Sequence, residues 1–353
     1  MQFYADCADL PYMLRAYYAW KNGLAFAYST AVTPLGFSRD IRYTARGNMV
    51  ASRRDLVEAS IDARRAIPSI VDTISSAHYR YPPHYVGRLL PDHYPVQITR
   101  ESIKPGTILY DPYGHLTVVY KVTAQGRVHF IDAHPGNALT RGVYGKAHKR
   151  YIPEVGGGFK RWRPQKLVGA TQLPDGSYQG GSIVLAADKD LADWSDEQFF
   201  GTDAKRPKNW EKGRFVHEGE TLEYYQFVRR RLAKGHFRYD PVEETRSMVR
   251  VLCEDLQYRV HAVDAAIAAR MHLRPQPDRL PDNIYGTSGD WEGWLRFFLT
   301  GVTVTANDAV RVASAVTELR DRHVRLAASE NLGRYGVPLL DLLIEQPLVM
   351  SYY

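Results

Sequence analysis

The stretch Pro105–Asn137, PGTILYDPYGHLTVVYKVTAQGRVHFIDAHPGN, decides how the rest of the chain is read. Pro105-Gly106 is a turn signal, followed by a short apolar strand from Thr107 to Tyr110. Asp111-Pro112-Tyr113-Gly114 makes the next turn, and His115 heads a second strand over Leu116 to Val122. Gln125-Gly126 is a hairpin turn, and Arg127 to Asp132 give a third strand. Three short antiparallel strands therefore present a histidine at the start of one and an acid at the end of the next. A base and an orienting partner on neighbouring strands call for a nucleophile elsewhere in the chain.

At 353 residues the chain can hold two domains and a well-buried core. Hydrophobic content of 44% and charged content of 24% place it among soluble globular proteins. No run of about 18 apolar residues occurs, so no transmembrane segment is expected. The N-terminal MQFYADCADL lacks the basic start and apolar core of a signal peptide, which predicts a cytoplasmic chain or a true start upstream of Met1. The net charge is +7, and much of it lies where Lys146, Lys149, Arg150, Lys160, Arg161, Arg163 and Lys166 meet only Glu154. The plain reading is a solvated loop around Gly156-Gly157-Gly158, and the sharper one is a rim that attracts an anionic polymer. No nucleic-acid motif is present, so no nucleic-acid partner is expected. Cys7 and Cys253 are too few for a disulfide framework and lack CxxC partners. The histidines are not at ligand spacing with them, so neither a metal nor a cofactor is expected.

Residues 6–22 predict a helix capped by Asp6, with Pro11 in the first turn and Asn22-Gly23 as the stop. Leu10, Leu14, Tyr17 and Tyr18 form its apolar stripe, widened by Met13 and Trp20. Cys7 then lies on the first turn, where free N–H groups favour a thiolate. Residues 24–60 read as irregular, with short strands at Leu24–Tyr28 and Ile41–Thr44, and a helix over 61–79 is kinked or broken at Pro68. Residues 137–165 read as a Gly-rich basic loop, followed by strands at Leu167–Ala170 and Ser182–Ala187. His84, His93 and His148 are expected in exposed loops, and Trp162 and Trp210 as packing residues. From about residue 192 the pattern is helical. Asp240-Pro241 caps a helix striped by Leu252, Leu256, Val260, Val263, Ile267 and Met271, with Cys253 beside the stripe as a small core residue. Further helices are expected near 220–234, 290–300 and 306–330.

Asp6-Cys7-Ala8-Asp9-Leu10-Pro11-Tyr12 before an amphipathic helix resembles the nucleophile helix of NlpC-type cysteine peptidases, whose pattern is D-C-S-G-hydrophobic. PGTILYD, GHLTVVYKV and GRVHFIDA resemble the three strands of the same family, and the likeness covers about residues 4–136. It implies an α+β fold: a papain-like domain over 1–190, with a small antiparallel sheet packed on the N-terminal helix, plus an all-α domain over 191–353. It implies Cys7 as nucleophile and His115 as general base. The third member is Asp132, with His134 and then His129 as alternatives. Strand alternation puts Asp132 and His134 on one face and His129 on the other. The Cys7 backbone N–H is the implied oxyanion donor, and Tyr4 is the nearby tyrosine for a second. The chain departs from the family in having Ala8-Asp9 for the small Ser-Gly pair, and in the 108 positions between Cys7 and His115. The implied activity is a hydrolase that cleaves a peptide amide of bacterial peptidoglycan, secreted or periplasmic, although without a signal peptide the cytoplasm stays open. The competing expectations are a non-catalytic binding or scaffold module on the same fold, and an acyltransferase or amidase acting on a target outside the cell wall.

Overall fold

The structure is a computed structural model. It describes residues 5–57, 61–134, 139–203, 206–235, 237, 240–268, 270, 273, 318–326 and 329–330. The chain divides into two compact units, Met1–Phe237 and Arg238–Tyr353. The expected boundary at 190/191 therefore falls inside the first unit. The fold is mixed α and β, with small antiparallel sheets and a helical C-terminal region.

The first unit begins with α1 (Asp9–Lys21). The strands β1 (Phe26–Pro34) and β2 (Asn48–Leu56) form a hairpin with an irregularity at Ser29 to Val32. Next come α2 (Ala63–Thr73) and a 3-10 turn at Ser76–Tyr79. Six short strands then build one antiparallel sheet: β3 (His93–Pro95), β4 (Ile108–Asp111), β5 (His115–Val122), β6 (Val128–Ala133), β7 (Leu139–Val143) and β8 (Gly158–Trp162). Their order across the sheet is β3-β8-β4-β5-β6-β7. The three expected strands are thus β4, β5 and β6, at the centre. The short helix α3 (Glu197–Phe200) lends Gln198 to β8: its amide accepts from Phe159 N at 2.8 Å and donates to Phe159 O at 2.8 Å. This buried side chain completes a backbone ladder that the short β3 leaves open. The first unit closes with α4 (Tyr224–Leu232).

One face of the sheet packs on α1 and α2 through Tyr12, Ala16, Ile67, Ile70, Ile108, Tyr110 and Leu116. The expected apolar stripe of α1 is corrected by this packing. Leu10 is buried and Met13 packs on the core as expected, but Leu14, Tyr17, Tyr18 and Trp20 are 37% to 57% exposed, and Ala8, Tyr12, Ala16 and Ala19 face inward. The small side chains of Ala8, Ala16 and Ala19 let the helix backbone approach its neighbours closely, while Tyr12 fills the core between them.

Several other local expectations also change. Ile41–Tyr43 is a 3-10 turn, not a strand, because Asp40 caps it by accepting from Arg42 N at 2.9 Å. Asn48–Leu56 is a full strand. The helix expected over 61–79 ends at Thr73, with Pro68 accommodated inside it. The basic stretch 146–166 is not simply solvated. Arg163, 2% exposed, pairs with Asp188 at 2.5 Å, and Arg161 pairs with Asp193 at 2.7 Å. Lys160 is buried, which pushes it down to about 7, with Arg163 adding to the shift. His93 is not in an exposed loop; it lies on β3 at 2% exposure, stacked on Tyr79. Beside it, Asp92 accepts from Tyr12 Oη at 2.6 Å and Ser29 N at 2.8 Å, and pairs with Arg53 at 2.6 Å.

In the second unit, α5 (Pro241–Ala268) starts as expected. Asp240 Oδ1 accepts from Val242 N at 2.9 Å, and Pro241 follows where its missing N–H costs little. Cys253 is half-buried on this helix. Residues 318–326 are helical. Met271, the helix expected at 290–300 and the start of the one at 306–330 lie outside the described residues. Among the described residues, no helix is long and apolar enough to cross a membrane, and no cluster of His, Cys, Asp and Glu could hold a metal ion.

Candidate active site

Cys7 sits on the turn that leads into α1. Asp6 shapes that turn: its Oδ1 accepts from Ala8 N at 2.7 Å and Asp9 N at 3.1 Å, and its own N–H donates to Asp9 Oδ2 at 3.2 Å. These reciprocal bonds make Asp6 the effective cap, although regular helix begins only at Asp9. Buried Tyr79 donates to Ala8 O at 2.5 Å and pins the residue after the cysteine. The Cys7 backbone N–H has no hydrogen-bond partner among the described residues.

Ala8 and Leu116 belong to the same apolar cluster. Packing of these two residues, each one position after a chemical group, brings Cys7 to His115 across 108 positions. The turn Asp111–Gly114 completes the approach. Gly114 takes φ +103°, a conformation that favours glycine, and its carbonyl accepts from Cys7 Sγ at 3.6 Å. The thiol lies near enough to the His115 imidazole to favour its charged form.

His115 Nε2 donates to Asp132 Oδ2 at 2.6 Å. The β5–β6 register pairs Val118 with Ile131, and its continuation sets Thr117 opposite Asp132 and His115 opposite His134. Asp132 thus reaches His115 diagonally, while His134 stacks on it with ring centroids 5.6 Å apart. On the other side, Asp132 pairs directly with Thr140 of β7. Thr140 Oγ1 donates to Asp132 Oδ1 and receives His134 Nε2 at 3.0 Å. His134 Nε2 is also 3.4 Å from Asp132 Oδ2.

The arrangement sets the charges. The Asp132 hydrogen bond, and then the Cys7 thiol, push His115 up to about 10 against burial. Burial alone would raise Asp132, but donation from His115, His134 and Thr140 wins and holds it well below the usual carboxylate range. Asp9 is pushed up to about 8, by burial first and then by Asp6. It is therefore largely protonated near neutral pH and puts little negative charge beside the thiol.

Of the expected site residues, Cys7, His115, Asp132 and His134 are brought together. His129 is not. It lies on the opposite face of β6, beside Tyr120 at 6.0 Å between ring centroids. Tyr4 lies outside the described residues. Thr140 escaped the sequence reading because its strand was taken for loop. Thr140 and Val143 are β-branched but three positions apart, so they show no strand alternation. Gly142 between them has no side chain to advertise a strand, and a Cβ there would come within 2.5 Å of Phe130.

No protein-family model matches the chain, and no curated protein or solved structure is significantly similar to it.

Proposed function

We propose that this chain is a cysteine hydrolase of the papain-like, NlpC type, which cleaves an amide bond in a peptide of bacterial cell wall. The observation that supports the reading is that Cys7 Sγ lies 3.6 Å from the carbonyl of Gly114, the residue before His115, while His115 Nε2 donates to Asp132 Oδ2 at 2.6 Å. A thiol, a paired imidazolium and a carboxylate in sequence are what nucleophilic attack on a carbonyl requires.

The Cys7 thiolate adds to the amide carbonyl, and the Cys7 backbone N–H faces the oxygen as it becomes negative. The His115 imidazolium gives its proton to the amine nitrogen as the C–N bond breaks, leaving a thioester on Cys7. Acylation removes the thiolate and, with it, two of the causes that hold the His115 proton. The imidazole then takes a proton from water, hydroxide adds to the thioester, and the acid leaves as Cys7 is restored. Asp132 fixes the ring throughout by accepting from Nε2.

Purified peptidoglycan incubated with the full chain is expected to release stem-peptide fragments. Cys7→Ser and His115→Ala are expected to release none. Release at the wild-type rate by either variant would sink the reading. A Cys7 that alkylates rapidly without any release from wall would move the substrate outside the cell wall and keep the chemistry.

A further inference from the structure

The end of α1 opposite Cys7 borders two cavities that the proposed reaction does not use. One, of about 320 Å³, lies between Arg15, Ala19 and Phe26 on one side and the paired strands Gln165–Val168 and Ser182–Leu185 on the other. The second, of about 390 Å³, opens between α1 and α2 and is lined by Ala16, Leu56, Ala66, Ile67 and Ile70. Ala19, residues 23–26 and Tyr178 form a wall common to both. Each has the volume of a small-molecule site. Beside them Trp20 is 56% and Leu24 54% exposed, so large apolar side chains face water where a ligand would cover them.

The charges are sorted between the two cavities. Among the described residues Arg15 is the one charged side chain lining the first. It is half-buried, its guanidinium lies over the Trp162 ring at 5.7 Å, and it has no hydrogen bond or ion pair among the described residues. Burial pushes the guanidinium down from the ordinary arginine range. The neighbouring Gln165 amide is already engaged, donating to Ala27 O at 2.7 Å and accepting from Ala27 N at 2.9 Å. A cation drawn out of water without a carboxylate is costly, and a bound anion offsets that cost. The charged residue lining the second cavity is Asp175, exposed on a turn where its carboxylate accepts from Ser177 N at 2.9 Å. Its negative charge turns an anion away from that end. An anionic head is therefore drawn to Arg15, and the apolar space between α1 and α2 is left for a tail.

We infer that these two cavities together bind a long-chain fatty acid, its carboxylate on the Arg15 guanidinium and its alkyl chain running past Phe26 into the space between α1 and α2. The binding is non-covalent and stands apart from the hydrolase reading, since neither Cys7 nor His115 lines either cavity.

The test is calorimetric titration of the full chain with monomeric laurate, and with dodecanol as the same tail without the charge. Laurate is expected to bind about tenfold more tightly than dodecanol, the difference carried by one charge-assisted contact. Arg15→Met keeps an unbranched side chain without its charge, and is expected to bring laurate down to the affinity of dodecanol. Ala66→Phe fills the apolar cavity and is expected to abolish binding of both. The comparison of the two ligands on the wild-type chain needs no variant, so misfolding of either variant leaves the test intact. Absence of laurate binding, or equal affinity for laurate and dodecanol, would overturn the inference and leave the hydrolase reading standing. So would a folded Arg15→Met or Ala66→Phe chain that holds laurate as tightly as wild type. Sedimentation of the chain with phosphatidylglycerol vesicles, without binding of monomeric laurate, would make the exposed face a membrane contact and overturn it too.

Discussion

Asp132 and Asp92 are built from the same parts and do different things. Each sits on or beside a strand of the one sheet, accepts from a hydroxyl, pairs with a cation and has a histidine as neighbour. Asp132 pairs with His115, whose side chain is 40% exposed, and the pair leaves the imidazole charged beside a thiol. Asp92 is 1% exposed and pairs with Arg53, a cation that does not give up its proton. His93, next in sequence, is buried and pushed down to about 3, burial being the largest cause. It packs between Tyr79 and Trp162 as a neutral ring. Residue type does not separate the two clusters. Access to water and the kind of cation do: one can exchange a proton with a substrate, and the other can only hold α1 to β1.

That difference can be broken by removing the same charge from each. Asp92→Asn leaves Arg53 charged and without its carboxylate partner, and a broken buried pair costs about 3–5 kcal/mol. Urea unfolding should show the midpoint falling with little change in slope. A midpoint at the wild-type value would mean that Asp92 is not the anchor its hydrogen bonds describe. Asp132→Asn should lower the midpoint less than Asp92→Asn does, since the His115 pair is more exposed, and act chiefly on the rate. Loss of the ring's orienting acceptor is expected to slow acylation of Cys7 by about a hundredfold, about 3 kcal/mol of barrier. If Asp132→Asn unfolded the chain and Asp92→Asn spared it, the assignment of roles would be reversed.

The two clusters were also unequally legible. His115 and Asp132 could be read because turn residues bracket short alternating strands, and alternation alone separates Asp132 and His134 from His129. Cys7 could be read from its position after Asp6 at a helix start. The Asp92 cluster could not, since Tyr12, Ser29, Arg53 and Asp92 come from four separate segments joined only by packing. The same limit hid β8, whose partners β3 and β4 lie far from it in sequence and whose stretch reads as glycine and positive charge. The inward face of α1 was misread because Ala16 and Ala19 were chosen for close approach, and a hydrophobic pattern ranks Leu14 and Trp20 above them.

A smaller effect sharpens the Asp132 side. Thr140→Val keeps the β-branched shape and removes the hydroxyl that Asp132 and His134 share. Asp132 keeps His115, with a less constrained carboxylate. The expected result is about a tenfold loss in acylation rate, with Thr140→Ser restoring most of it. If Thr140→Ser were as slow as Thr140→Val, shape rather than the hydroxyl would be what matters there.

The smallest effects separate the clusters by pH. The folded state holds the His115 proton more tightly than the unfolded chain does, 6.5 rising to about 10. Its contribution to stability is therefore complete below 6.5 and fades as pH rises through about 10. Asp132 is held down, so its contribution is present above 3.8 and fades on acidification. His93 has the opposite sign to His115. Its proton is bound more weakly in the folded state, so it favours unfolding as pH falls from 6.5 toward about 3. Neither ring nitrogen of His93 has a hydrogen-bond partner among the described residues. A phenylalanine of similar shape then loses no buried hydrogen bond. Urea midpoints measured from acid to alkaline pH should show His93→Phe flattening the acid limb alone. His115→Ala should flatten the alkaline limb and also part of the acid limb, because Asp132 then loses a donor that holds it down. His93→Phe should leave the alkaline limb in place, and an alkaline limb flattened by His93→Phe would join what the structure keeps apart.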